Sequence, residues 1–142
     1  MLKFKLRLKG LDKGKRTTKE LLMKVLFRSM LKMEEIAQFR APVDIGTLRQ
    51  QINVEPLNLS TKYKLTAGAS YSAAVEFGSR PHFVPIKPLL EWARRRLGDE
   101  NIAYAIRAKI AKEGMNARPF MRPALHEVLT IWFPIFKREV FT

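Results

Sequence analysis

A long helix with an unusually wide apolar face is the feature of the sequence that most constrains the fold. Thr17 and Glu20 have the spacing of a capping box, which starts a helix, and Pro42 discourages its continuation. The sequence therefore predicts a helix from Thr17 to about Phe39. Its polar positions form only a narrow strip at every fourth residue. The remaining apolar face is wider than the stripe of roughly 100° that a helix needs to pack on one core.

Two explanations of this wide face remain open. A partner subunit covers the second apolar side, or the helix is wedged deep inside its own domain. Under the first explanation, four side chains are candidates for a subunit interface: Leu22, Leu26, Met30 and Met33.

Period-two patterns predict three strands. Apolar and basic residues alternate over the first nine positions, which predicts an edge strand protected by lysines. The segment Gly10 to Arg16 reads as a turn. Residues 52–59 and 62–68 predict a hairpin that turns at Asn58 to Thr61.

From Pro88 onward, the sequence predicts helices. Pro88 suits a first helical turn and Gly98 ends that helix, while Asp99 and Gly114 can bound a second one. A further helix follows Pro123, and Pro134 should kink or end it. The expected class is α+β: a small antiparallel sheet packed against a long N-terminal helix and a C-terminal helix, with an inserted helix pair over residues 84–114.

Length and composition limit the classes of protein. A chain of 142 residues suits a single domain, here 1–142 with a basic strand and arm over 1–16. The absence of cysteine excludes disulfides and thiolate chemistry. No apolar run approaches the roughly 20 residues that span a bilayer, so we expect a soluble protein that is not secreted and has no membrane partner.

Residues that carry chemistry are scarce. His82 and His126 lack neighbouring metal ligands, so both are interpreted as surface or structural histidines. No serine lies in a nucleophile elbow, and no phosphate-binding glycine loop is present. We therefore expect no enzyme activity, no cofactor and no metal, although distant residues can still converge.

The net charge of +14 leaves a nucleic-acid partner open. Basic residues cluster in the N-terminal arm and at Arg94, Arg95 and Arg96. A solvated charged face is the favoured interpretation of the arginines, because the following helix lacks the amides that read base edges. Contact with DNA phosphates needs only positive charge, so these three arginines remain candidates for it. The alternative function is accordingly a basic, sequence-independent nucleic-acid-binding module.

Three segments, in this order, resemble the head–tail joining or tail-completion proteins of long-tailed phages, the gene-product-ten-like family. We call them motif one (Ala41 to Arg49, followed by Ile52), motif two (Tyr71 to Ser79) and motif three (Ala117 to Leu125). Motif one has Ile45 where the family usually has Thr, and Gln51 where it usually has Ser. The resemblance covers residues from about 17 to 135.

The resemblance implies a non-catalytic virion protein of the phage neck. It would assemble in the host cytoplasm into a ring, a hexamer or dodecamer, at the head–tail junction. The expected partners are the head connector or adaptor and the tail-tube or tail-terminator proteins, with nonspecific contact to the genomic DNA. Closed rings need two different patches on each subunit.

The resemblance also nominates residues. The turn of motif two and the loop after it would supply one patch, although turn structure and core packing are the competing interpretation of Phe77 and Gly78; the candidates are Glu76, Phe77, Gly78, Arg80 and His82. Asp44, Arg49 and Arg122 are expected to form structural ion pairs. The motif and structural positions are Pro42, Asp44, Gly46, Leu48, Arg49, Pro119, Phe120, Arg122 and Pro123.

Overall fold

A computed structural model describes residues 1–7, 16–58 and 62–142, and it confirms the α+β class. In chain order, its elements are β1 (Leu2–Arg7), α1 (Arg16–Arg40), α2 (Thr47–Gln50), β2 (Ile52–Asn58), β3 (Lys62–Ala67), α3 (Ser72–Phe77), α4 (Ile86–Leu97), α5 (Ile102–Glu113), α6 (Met121–Glu127), a π-helical turn (Val128–Trp132) and α7 (Phe133–Phe141).

The three strands form one antiparallel sheet in the order β1-β3-β2. The predicted edge strand is confirmed over Leu2–Arg7, while its last two positions lie outside the described residues. The predicted hairpin is also confirmed as β2 and β3, although residues 59–61 of its turn lie outside the described part. Because side chains alternate along each strand, the sheet has an inner face rich in apolar residues and an outer face rich in lysine.

The inner sheet face, α6 and α7 all pack on α1. This arrangement corrects the interface prediction for Leu26, Met30 and Met33, which are 2%, 0% and 0% exposed within the single chain. The second explanation of the wide apolar face holds for these residues, since the sheet covers one side of α1 and the C-terminal helices cover another. Leu22 is half-buried.

Some apolar side chains of α1 do remain exposed. Phe27 and Leu31, one helical turn apart, are 43% and 44% exposed, and Phe39 is 82% exposed. They lie outside the core cluster. Among the large apolar residues of α1, these three are therefore the most accessible to a partner.

Helix α1 begins at Arg16, before the predicted start at Thr17. The helix already includes Arg16, so Thr17 stands inside it and cannot act as its N-cap. Glu20 accepts a hydrogen bond from the Arg16 guanidinium at 3.2 Å instead of bonding back to Thr17. Arg16 likewise belongs to the helix and not to the predicted turn, whose other residues, 10–15, lie outside the described part of the chain.

Helices α4 and α5 form the predicted inserted pair. Gly98 ends α4 in the left-handed conformation, with φ +72°. Asp99 accepts a hydrogen bond from the Asn101 backbone at 2.9 Å, just before α5 begins. Gly114 closes α5, also with positive φ.

Pro134 does not end the C-terminal helix. A proline ring clashes with the carbonyl four residues earlier in a regular α-helix and removes one backbone donor. The chain meets this constraint with the π-helical turn Val128–Trp132, which only Phe133 separates from Pro134, and α7 then continues to Phe141. The rings of Trp132 and Phe136 lie in tilted contact, with centroids 5.8 Å apart and planes inclined by 33°.

Within the ranges that the structure describes, no helix combines the length and the apolar character needed to cross a membrane.

A buried hydroxyl in β3 yields a stability prediction. Thr66 is 7% exposed, and its Oγ1 has no hydrogen-bond partner among the described residues. An unpaired buried hydroxyl is unfavourable, so Thr66→Val should leave the free energy of unfolding unchanged or raise it by up to about 1 kcal/mol. Urea denaturation measures this change.

Ser72→Ala is the matched control. Ser72 is fully buried, but its hydroxyl donates to the Ala67 carbonyl at 3.1 Å. Removing that bond should lower the free energy of unfolding by about 1 kcal/mol. A larger loss for Thr66→Val than for Ser72→Ala would contradict the assignment.

Candidate functional site

The carboxylate of Glu76 lies at the N-terminus of α6 and joins motif two to motif three. Its Oε2 accepts hydrogen bonds from the backbone N–H groups of Phe120 and Met121, at 2.7 and 2.9 Å. Its Oε1 accepts from the backbone N–H and from Nε of Arg122, at 2.9 and 3.1 Å. Four donors thus converge on one carboxylate.

The local sequence explains why α6 needs this remote acceptor. The first N–H groups of a helix have no partner inside the helix, and Phe120, which precedes α6, provides no side-chain cap. Glu76 provides the cap from 44 residues earlier in the chain. Its negative charge also matches the positive end of the helix dipole.

The pKa of Glu76 reflects two opposing effects. Burial raises the pKa of this fully buried carboxyl, but the hydrogen bonds from the backbones of Met121, Phe120 and Arg122 and from the Arg122 side chain lower it. The net pKa lies below its ordinary value of 4.5. Glu76 is therefore ionised at neutral pH and serves as a structural anion.

These contacts correct two predictions for motif two. Glu76 is 0% exposed and fully engaged within the chain, so it is not available to a partner subunit. Phe77 does not enter the core, because its ring is 54% exposed and the Arg122 guanidinium lies 4.9 Å from its centroid. Phe77 thus remains a surface residue that a partner can contact.

Gly78 has the structural role that the turn interpretation assigned to it. Its φ is +76°, and a Cβ added there would lie 2.5 Å from the carbonyl oxygen of Met115. This close approach allows Ser79 and Met115 to exchange two backbone hydrogen bonds, each 3.0 Å long. A further bond, from the Arg118 N–H to the Val75 carbonyl at 2.7 Å, joins motifs two and three.

Motif one contacts the inserted helix pair instead. Asp44 does not cap α2, whose N-cap is Gly46 in the left-handed conformation. Its carboxylate forms ion pairs with Arg95 at 2.6 Å and Arg96 at 3.4 Å. The expected structural ion pairs are therefore present for Asp44, with Arg95 and Arg96, and for Arg122, with Glu76.

The other motif positions have structural surroundings. Arg49 donates to the Phe39 carbonyl at 3.5 Å, while Leu48 and Phe120 are buried in the core. Pro123 is half-buried and Pro119 is exposed.

A largely apolar cleft of about 430 Å³ lies where the three motifs approach the helix pair. Pro42 of motif one, Val75 of motif two and Arg118 of motif three all line it. Leu89 and Trp92 of α4 and Ile110 of α5 are also part of its lining. Segments that are far apart in the sequence therefore share one surface feature.

The loop after motif two is exposed but locally held. The backbone N–H of His82 donates to the Ile110 carbonyl at 3.4 Å, and its Nδ1 lies 2.8 Å from the Arg80 carbonyl oxygen. Arg80 and His82 themselves are exposed, as an interface requires. The next residue, Phe83, is 82% exposed.

The arginines nominated for DNA contact are exposed, yet each has an internal partner. Arg94 pairs with Glu100, while Arg95 and Arg96 share Asp44. Arg96 also donates to the Val43 carbonyl. These bonds tie the helix pair to motif one and neutralise part of the charge that a phosphate would meet.

Among the described residues, no group of three or more histidine, aspartate or glutamate side chains is placed to hold a metal ion. In comparisons with known proteins, no family model matches the chain, no curated protein matches it and no solved structure matches it. The resemblance to tail-completion proteins therefore rests on the three motifs.

Replacing Glu76 should destabilise the fold more than replacing an exposed carboxylate. Glu76→Gln keeps the size of the side chain but removes the charge that four donors share, so the free energy of unfolding should fall by roughly 2–3 kcal/mol. Glu35 forms an exposed pair with Lys32, and Glu35→Gln should change it by less than about 0.5 kcal/mol. Equal effects of the two substitutions in urea denaturation would refute the capping role.

The stability contributed by Glu76 should also depend on pH. Because the pKa of Glu76 is lower in the folded chain than its ordinary value of 4.5, this contribution is complete above pH 4.5 and is lost as the pH falls through the folded-state pKa. The difference in unfolding free energy between the native chain and Glu76→Gln should therefore shrink on acidification. A difference that stays constant between about pH 7 and pH 3 would contradict this linkage.

The pKa of Glu127 is also lowered, so the pH experiment needs a control for this residue. Its pKa is lowered by hydrogen bonds from Arg40 and Trp132. The comparison between Glu76 and Glu76→Gln is therefore repeated in a Glu127→Gln background. The difference in unfolding free energy should shrink on acidification there as well.

Proposed function

We propose that the protein is a structural adaptor of a phage neck, which oligomerises into a ring that joins or completes the tail at the head connector. The observation that carries this proposal is the ordered set of three motifs, which line a common cleft through Pro42, Val75 and Arg118. The Glu76 carboxylate supports it further by joining motifs two and three. Motifs that also pack together support the proposal more strongly than sequence similarity alone.

Two exposed surfaces suit the heterologous contact that a closed ring requires. The first, the loop surface, consists of Phe77, Arg80, His82 and Phe83. The second, the helix surface, consists of Phe27 and Leu31 on α1, which pack beside the sheet through the contact of Phe27 with Tyr63. Aromatic side chains and arginine are enriched at the centre of protein interfaces. The loop surface of one subunit therefore contacts the helix surface of the next.

The proposed partners follow from the position of such a ring. One side meets the head connector or adaptor, and the other meets the tail-tube or tail-terminator proteins. The ring has six or twelve subunits and lies at the head–tail junction of the virion after assembly in the host cytoplasm. Its role is mechanical and non-catalytic.

Electron microscopy of the purified protein, combined with light scattering, tests the ring directly. Mixing the protein with tail tubes and with connector-bearing heads then tests attachment. The proposal predicts closed rings alone or on one of these structures. A chain that stays monomeric in all three preparations and attaches to neither structure would overturn the proposal.

A variant pair tests the loop surface. Phe83→Ser should abolish ring formation while shifting the free energy of unfolding by less than about 0.5 kcal/mol, because an exposed side chain contributes little to folding. Tyr104→Ser is the matched control, since Tyr104 is 57% exposed on α5 and belongs to neither surface. Rings that survive Phe83→Ser, or disappear equally with Tyr104→Ser, would exclude the loop surface as the contact.

A further inference from the structure

The outer face of the sheet carries a cluster of lysines that core packing does not explain. The strand registers place Lys3, Thr66 and Asn53 in one row across the sheet, and Lys5, Lys64 and Glu55 in the next. Lys62, two residues before Lys64, lies on the same face of β3. We call this surface the lysine face, and Glu55 is the one carboxylate among its described side chains.

The charges on the lysine face are unbalanced within the described part of the chain. Lys64 pairs with Glu55 at 2.5 Å, and its side chain is 16% exposed. Lys3, Lys5 and Lys62 form no ion pair with any carboxylate in the described part of the chain. Lys5 lies directly opposite Lys64, and like charges in that position destabilise a sheet.

The chemistry of the face indicates the class of its partner. The centre of a protein interface is typically depleted of charge and enriched in aromatic residues, whereas the described side chains of this face are lysine, threonine, asparagine and glutamate. Lys3 and Lys5 are roughly 6.8 Å apart along an exposed edge strand. Lysine acts as a point charge for phosphate, and sequence-independent DNA binding requires little else.

We infer that the lysine face binds the phosphate backbone of duplex DNA without reading its sequence. This assignment differs from a contact through Arg94, Arg95 and Arg96, whose guanidinium groups are held by Glu100 and Asp44. It also goes beyond the neck role, because a single subunit can bind DNA through this face whether or not it forms a ring.

Fluorescence anisotropy with a labelled duplex of random sequence tests the inference at several salt concentrations. The test variant is Lys3→Gln, Lys5→Gln and Lys62→Gln combined. Its matched control removes the same charge from exposed lysines elsewhere: Lys87→Gln, Lys112→Gln and Lys137→Gln. Thermal unfolding of both variants verifies that they fold.

The test variant should lose at least about tenfold in affinity at low salt, and the slope of log affinity against log salt should decrease by about 2–3, close to one for each phosphate contact. The control should lose markedly less. Equal losses of affinity in the two variants would show that only the total charge matters and would overturn the inference. A native chain that does not bind the duplex would also overturn it.

Glu55→Gln provides a gain-of-affinity test that does not depend on a weakened variant. Removing the carboxylate frees Lys64 and should strengthen DNA binding several-fold, whereas Glu139→Gln, on α7, should not. Unchanged affinity for Glu55→Gln would contradict the assignment. A labelled poly-glutamate that bound the same lysines more tightly than the duplex would assign the face to an acidic protein and overturn the DNA assignment.

The two proposals fail separately. Rings that form on tails but do not bind the duplex leave the neck role intact and refute the lysine face. A monomer that binds the duplex through these lysines and never attaches to heads or tails supports the lysine face and refutes the neck role.

Discussion

The hydrogen bonding of the Glu76 carboxylate at the start of α6 is the interaction on which the rest of the structure most depends. A helix N-terminus presents unpaired N–H groups, and α6 begins in the core beside the buried Phe120. Water does not reach such donors, so the protein must supply the acceptor itself. Glu76 does this with both of its oxygens, and the contact holds the C-terminal helices against α3.

That contact also determines how the wide apolar face of α1 is used. With α6 fixed, α7 continues along α1 through the π-helical turn, and Arg28 and Lys32 cover the rings of Phe136 and Trp132 at 4.3 and 4.4 Å. The sheet closes the other side. The wide apolar face of α1 therefore packs against the sheet on one side and the C-terminal helices on the other. Among its large apolar residues, only Phe27, Leu31 and Phe39 remain well exposed.

The positive charge of the chain divides into two kinds. Several arginines are structural: Arg122 holds Glu76, Arg40 holds Glu127, and Arg95 with Arg96 holds Asp44. On the outer sheet face, Lys64 pairs with Glu55, but Lys3, Lys5 and Lys62 form no ion pair in the described structure. Net charge describes association and not fold, and a count of +14 cannot separate the two kinds. Their separation required the positions of the carboxylates.

The sequence by itself determined the three strands, the long helix and the inserted helix pair of this protein. Alternation predicted β1 and the hairpin, the wide apolar run predicted α1, and Gly98 and Gly114 marked the ends of helices, because each of these signals acts between residues close in the chain. It also provided the three motifs. A remote cap was signalled only indirectly, by a charged Glu76 among apolar residues and by the missing cap before α6.

Tertiary structure alone decided which residues those elements bring together. The partners of Asp44 and Glu76 lie 51 and 44 residues away, and the burial of Met30 and Met33 depends on the sheet and the C-terminal helices arriving together. Local patterns show which side of a helix is apolar, but they do not show what covers it. That outcome depends on how the whole chain packs, since burial and long-range hydrogen bonds are properties of the assembled core.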